Sequence, residues 1–168
     1  MLLTLIILVS SSLTCLNAGD TSFYRPENNF NLSLGGNASL ISLSYENLTP
    51  LSDNRMLALA GGIGYNKELR LCLFGPCSDS PKRFITFPHS LTLNWGHRRS
   101  YLEFGIGGTI ITGKTKQHYL LYPKIGYRHH PLKPNKFGFQ ILGSYPLYNL
   151  ESVDFMFSPI GITVGIAY

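Results

Sequence analysis

Apolar and polar residues alternate along most of this chain in runs of about ten, and turn-forming residues separate the runs. The clear runs are 38–46, 56–65, 84–96, 101–111, 119–129, 137–146 and 158–168. Alternation with period two is the signature of a strand with two unlike faces, and runs of this length and spacing are those of a transmembrane β-barrel. Barrels of this kind have an even number of strands with both ends of the chain on one side. Counting back from Tyr168 leaves one ascending strand to be found before residue 38. Residues 29–35, Asn-Phe-Asn-Leu-Ser-Leu-Gly, alternate correctly and run into a Gly35-Gly36-Asn37 turn. The expected fold is therefore all-β, an eight-stranded antiparallel transmembrane β-barrel.

The same count assigns the connections. Residues 97–100 and 130–135 become short periplasmic turns, and the longest connection, 66–83, becomes an outer loop. Residues 47–54 form a periplasmic turn longer than this scheme prefers. The apolar series expected to face outward includes Ile41, Leu43 and Tyr45; Leu57, Leu59, Ile63 and Tyr65; Leu91, Leu93 and Trp95; Leu102, Phe104, Ile106 and Ile110; Leu121, Ile125 and Tyr127; Phe137, Phe139, Ile141 and Tyr145; and Ile160 to Tyr168 in alternation. Alternation alone does not say which series meets lipid. The aromatics do, because Tyr45, Trp95, Tyr127, Phe137 and Tyr168 all belong to the apolar series and fall at the periplasmic end, where a girdle is expected at a lipid-water interface.

The opposite series is small or polar. Within it Glu46, Asn94, Glu103, Lys124, Arg128 and Gln140 are too polar for a dry core and predict a hydrogen-bonded network in the lumen, with Glu103 and Arg128 placed for an ion pair between neighbouring strands. Such a network reads either as a strut that plugs a narrow barrel or as a gate of switching ion pairs. Eight strands leave little room beyond side chains, which favours the strut.

Composition supports strands over helices: among 168 residues there are 17 Gly, 10 Tyr and 10 Phe, with only 14% charged. The length allows one domain, residues 19–168, after a signal peptide over residues 1–18. The stretch 1–9 is almost wholly apolar and too short to span a bilayer as a helix; cleavage is expected after Ala18, and lipidation at Cys15 is the lesser alternative, since Ser12-Leu13-Thr14 makes a poor lipidation sequence. The net charge of +5 does not imply nucleic acid. Lys82, Arg83, Arg98, Arg99, Lys114, Lys116, Lys133 and Lys136 lie at turns, as on a solvated or headgroup-facing rim.

Cys72 and Cys77 suggest one local disulfide in an exported chain, with free thiols as the alternative and a metal site disfavoured by the lack of a second ligand pair nearby. No cofactor or metal is expected. His89 and Ser90 are the most tempting catalytic pair, but adjacent strand residues point to opposite faces. His89 would then face lipid, which suggests a bulge at Pro88 or an interfacial position. Gly105-Ile106-Gly107-Gly108 and Gly61-Gly62-Ile63-Gly64 lie inside strands and lead into no helix, so they read as small lumen-facing positions rather than phosphate loops. Neither a metalloprotease helix motif nor a nucleophile elbow is present.

The segments Leu102-Glu103-Phe104-Gly105-Ile106-Gly107-Gly108-Thr109, Tyr122-Pro123-Lys124-Ile125-Gly126-Tyr127-Arg128, Lys136-Phe137-Gly138-Phe139-Gln140 and Gly161-Ile162-Thr163-Val164-Gly165-Ile166-Ala167-Tyr168 resemble the small outer-membrane β-barrel proteins of Bacteroidetes-type bacteria. The resemblance spans roughly residues 35–168 and rests on glycine and aromatic patterning. It implies location in the bacterial outer membrane and recognition of the last strand by the barrel assembly machinery, although Tyr168 stands where Phe is more usual. Members are mostly of unknown function, so it implies no active residues. The expectation is a monomeric, non-enzymatic barrel with a structural or surface-interaction role through its outer loops, especially residues 69–83. Alternatives are a narrow small-solute pore, a secreted soluble barrel of lipocalin type with its apolar series inward, and an enzyme acting on envelope lipid.

Overall fold

The computed structural model describes residues 27–67, 82–113, 115, 117–147 and 157–168. The expected signal peptide, Cys15, and the pair Cys72 and Cys77 lie outside them, as do Lys114 and Lys116. Eight strands follow one another: β1 Asn28–Gly35, β2 Ile41–Ser52, β3 Arg55–Lys67, β4 Arg83–His97, β5 Ser100–Thr112, β6 Tyr119–His129, β7 Lys136–Ser144 and β8 Ile160–Ala167. Each pairs antiparallel with the next, and β8 returns to β1 from Asn29↔Ala167 to Gly35↔Gly161, closing the barrel. Closure leaves no sheet edge, so backbone donors and acceptors find partners within the ring.

The ring is staggered. Leu34, Ile41, Tyr65, Ile85 and Thr112 lie on one row of partners, which starts near the end of β1 and reaches the very end of β5. Strand tilt is the geometric consequence of such a stagger. β2 to β5 are the longest strands.

Several boundaries differ from the sequence expectation. β2 does not stop at Glu46 but continues to Ser52, through a register irregularity between Pro50 and Ser52, so the supposed long turn shrinks to Asp53 and Asn54. Pro50 hid this extension, because proline lacks the N–H a ladder requires. No bulge forms at Pro88: the β3–β4 register is the same on both sides of it, and Pro88 pairs with Thr109 on β5.

At its start, β2 begins at Ile41 rather than residue 38. The preceding residues form a hairpin in which Gly35, Gly36, Asn37 and Ala38 all have positive φ, between 48° and 68°. Two glycines make this run accessible. The turn folds into the barrel mouth and buries Ala38 completely. Thr109 Oγ1 donates to the Asn37 carbonyl (2.7 Å) and exchanges a hydrogen bond with the Tyr122 hydroxyl (2.9 Å). Asn66 Nδ2 donates to the Ala38 carbonyl (2.7 Å), and the Ser39 and Thr86 hydroxyls meet at 2.7 Å.

Beneath the turn, Phe84, Ile111, Leu120 and Tyr122 pack with Ala38 as an apolar plug, with Phe157 against it. Leu48, Met56 and Tyr101 are buried near the short-turn end. The interior thus holds apolar side chains toward both ends, with a polar layer between them.

The plug generates a test. Thr109→Val keeps the side-chain shape but leaves the Asn37 carbonyl and the Tyr122 hydroxyl without this partner, and should cost about 1–3 kcal/mol. Urea unfolding of the folded barrel measures it. Thr112→Val, an exposed position on the same strand, should cost much less.

Candidate functional site: the polar lumen

Alternation along β2, β5, β6 and β7 turns Glu46, Glu103, Arg128 and Gln140 into the lumen, and closure brings them together. Arg128 is the centre and is 1% exposed. Its Nη1 and Nη2 donate to Glu46 Oε2 and Oε1 at 2.7 and 2.6 Å, a bidentate pair that reaches across the barrel from β6 to β2. Its Nη2 and Nε also donate to Glu103 Oε2 at 3.0 and 3.2 Å. In the amide orientation that satisfies both groups, the Gln140 oxygen accepts from Arg128 Nη2 and Nη1 at 2.9 and 3.0 Å.

Asn29 and Asn31 of β1 complete the shell, each donating an amide hydrogen to Glu46 Oε2 at 3.0 and 3.1 Å. Gly165 on β8 makes this possible, because a Cβ there would collide with the Asn31 side-chain oxygen. A planar guanidinium with five donors suits such an arrangement better than an ammonium, since it binds one carboxylate with two parallel bonds and still has donors to spare. Strands β1, β2, β5, β6 and β7 contribute side chains to this cluster.

Of the six polar residues singled out from the sequence, Glu46, Glu103, Arg128 and Gln140 meet in one cluster. The expected Glu103–Arg128 ion pair is present at 3.0 Å. Asn94 and Lys124 face the lumen but stand outside the cluster. Asn94 lies beside Glu103 in the ladder and is fully buried, with a long contact from Nδ2 to Thr92 Oγ1 at 3.5 Å. Lys124 Nζ donates to Ser90 Oγ at 3.2 Å. Asn29 and Asn31 were legible only as polar members of an alternating strand, and the bidentate link across the lumen had no signal in the sequence, since residues 46 and 128 share no local pattern.

The serine and lysine adjacent in the lumen resemble a nucleophile with its base. The described space beside that pair is small. Two cavities of about 10 and about 20 Å³ flank the cluster, Arg128 bordering the first and Glu46, Ser90 and Lys124 the second. Each has room for about one water molecule and none for an acyl substrate. Among the described residues, the formal charges of Glu46 and Glu103 oppose those of Arg128 and Lys124 in the lumen.

His89 and Ser90 do not come together: His89 is exposed on the outer face and Ser90 is half-buried inside. His89 is instead stacked on Tyr119, with Nε2 3.1 Å from the Tyr119 hydroxyl and Nδ1 3.3 Å from the Phe87 carbonyl, which satisfies both ring nitrogens locally.

All five singled-out aromatics point outward. Tyr45 lies seven residues short of the end of β2, a difference produced by the extension of that strand. It still joins the aromatics at the chain ends, because stagger brings it beside Phe30, which in turn stacks on Tyr168. Tyr127 packs on Phe139, and Phe139 on His129. Phe30 and Phe139 belong with this group and were not singled out.

Arg128→Met should destabilise the barrel by about 3–5 kcal/mol in urea titrations, because it leaves Glu46 and Glu103 buried without their cation. Replacing all three by Met should recover a large part of that loss, which distinguishes an uncompensated charge from lost packing.

Comparison of the chain with family models, with curated proteins and with solved structures found no match in any of the three.

Proposed function

We propose that this protein is an integral β-barrel of the bacterial outer membrane, closed to solutes, whose activity lies at its surface and in the loops opposite the short turns. The observation that carries this reading is the outer face. Large apolar side chains are exposed on all eight strands, among them Leu32, Leu43, Ile63, Leu91, Ile106, Ile125, Ile141 and Val164. A water-soluble protein rarely exposes contiguous apolar surface beyond a few hundred Å², whereas a bilayer requires such a belt. The His89–Tyr119 pair fits the same setting, since polar groups facing hydrocarbon must satisfy one another.

A lipocalin-type barrel needs the reverse arrangement, with its apolar series around an internal ligand cavity. Here that series faces out and the interior holds ion pairs. For a narrow pore, the lumen would have to open past the Arg128 cluster and the inward-folded hairpin. No reaction is proposed.

Proteins of this kind reach the membrane through an export signal and an assembly machinery that reads the last strand; residues 1–18 and β8 are proposed for these roles, with a monomer as the inserted form.

Refolding into phospholipid vesicles tests the reading. The expected result is flotation with the vesicles and a folded band that shifts on heating in SDS. Protein that stays dispersed in plain buffer, with no affinity for vesicles, would overturn it. In planar bilayers the inserted protein should give no channel steps; a current changed by Glu103→Gln or Arg128→Gln would establish the pore instead.

A further inference from the structure

At the short-turn end, cations follow directly on the aromatic edge of the apolar belt. Arg55 is the ladder partner of Trp95. Lys136 precedes Phe137, and Arg98 and Arg99 form the tip of the β4–β5 hairpin, whose Ser100 exchanges a hydrogen bond with the Tyr127 hydroxyl at 2.9 Å. Lys133 lies in the β6–β7 turn. All five cations are exposed. The described acidic side chains at this end are Glu27 and Asp53, so the rim is net positive.

Arg98 adds an independent point. It adopts a φ of 56°, a left-handed conformation in which glycine is the unstrained choice.

We infer that this rim is a binding collar for anionic phospholipid headgroups in the leaflet at the short-turn end, with Arg98 and Arg99 as its principal phosphate contacts. The inference rests on the membrane reading above. Its physical basis is position: an aromatic girdle sits at headgroup depth, and cations immediately beyond it meet the phosphate layer. Arginine suits phosphate because its planar fork donates two parallel hydrogen bonds.

Trp95 is the only tryptophan of the sequence and lies on the outer face beside Arg55, so its fluorescence reports on the lipid next to the collar. The folded protein is placed in vesicles of equal phosphatidylglycerol and phosphatidylcholine, with brominated, quenching acyl chains on one lipid or on the other. The brominated anionic lipid should contact Trp95 about threefold more than the brominated zwitterionic one, and the preference should fall as salt is raised. In Arg98→Gln/Arg99→Gln, which is expected to keep the heat-shifted folded band, the two lipids should quench nearly equally. Equal quenching in the unaltered protein would overturn the collar, and a preference that survives the double substitution would overturn its assignment to Arg98 and Arg99. A Trp95 quenched by neither lipid would overturn the membrane reading itself.

Discussion

The return of β8 to β1 is the constraint on which the rest of the structure depends. Once the sheet closes, each strand has one face toward a narrow interior and one toward the surroundings, and no backbone edge is left to satisfy elsewhere. Alternation then acts in all eight strands at once. A one-residue slip in any pair would send that strand's apolar residues inward and its polar residues outward, so the register is specified by the sorting of side chains as much as by hydrogen bonds.

Closure with eight strands also makes the interior narrow, and burial imposes its own terms. Glu46, Glu103 and Arg128, all buried, satisfy one another in place of bulk water, and the amides of Asn29, Asn31 and Gln140 take up hydrogen-bonding capacity that the ion pairs leave over. The bidentate contact ties β2 to β6 across the barrel, a connection the sheet itself does not supply. Apolar side chains occupy the lumen above and below this layer, and the inward-folded hairpin at Gly35 to Ala38 covers one mouth. The strut and the plug together fill much of the described lumen.

The outer face follows a different order along the same strands. Aliphatic residues hold the middle, aromatics lie toward both ends, with Trp95, Tyr127, Phe137 and Tyr168 toward the short turns and Tyr65, Phe87, Tyr119 and Tyr145 toward the other, and at the short-turn end cations lie beyond them. His89 is the exception within the belt, and it is accommodated by stacking on Tyr119 over Gly108, whose missing side chain leaves room for both rings. An outward polar residue therefore needed no bulge and no displacement of the strand.

By itself the sequence determined the strand count, the antiparallel order and the assignment of residues to faces, because these depend on a local period of two and on turn residues between runs. It identified Glu46, Glu103, Arg128 and Gln140 as lumen groups and placed the Glu103–Arg128 pair, since these two lie on neighbouring strands joined by one hairpin. Proline obscured the length of β2, and positive φ at Ala38 could not be read from an alanine. The tertiary structure alone decided that Arg128 binds Glu46 across the lumen, that Lys124 turns to Ser90 and that Tyr45 joins Phe30 and Tyr168. The Arg128–Glu46, Lys124–Ser90 and Phe30–Tyr168 contacts join strands that are not neighbours in the chain, and they follow from the way the barrel closes, a property of the whole ring that no local segment carries.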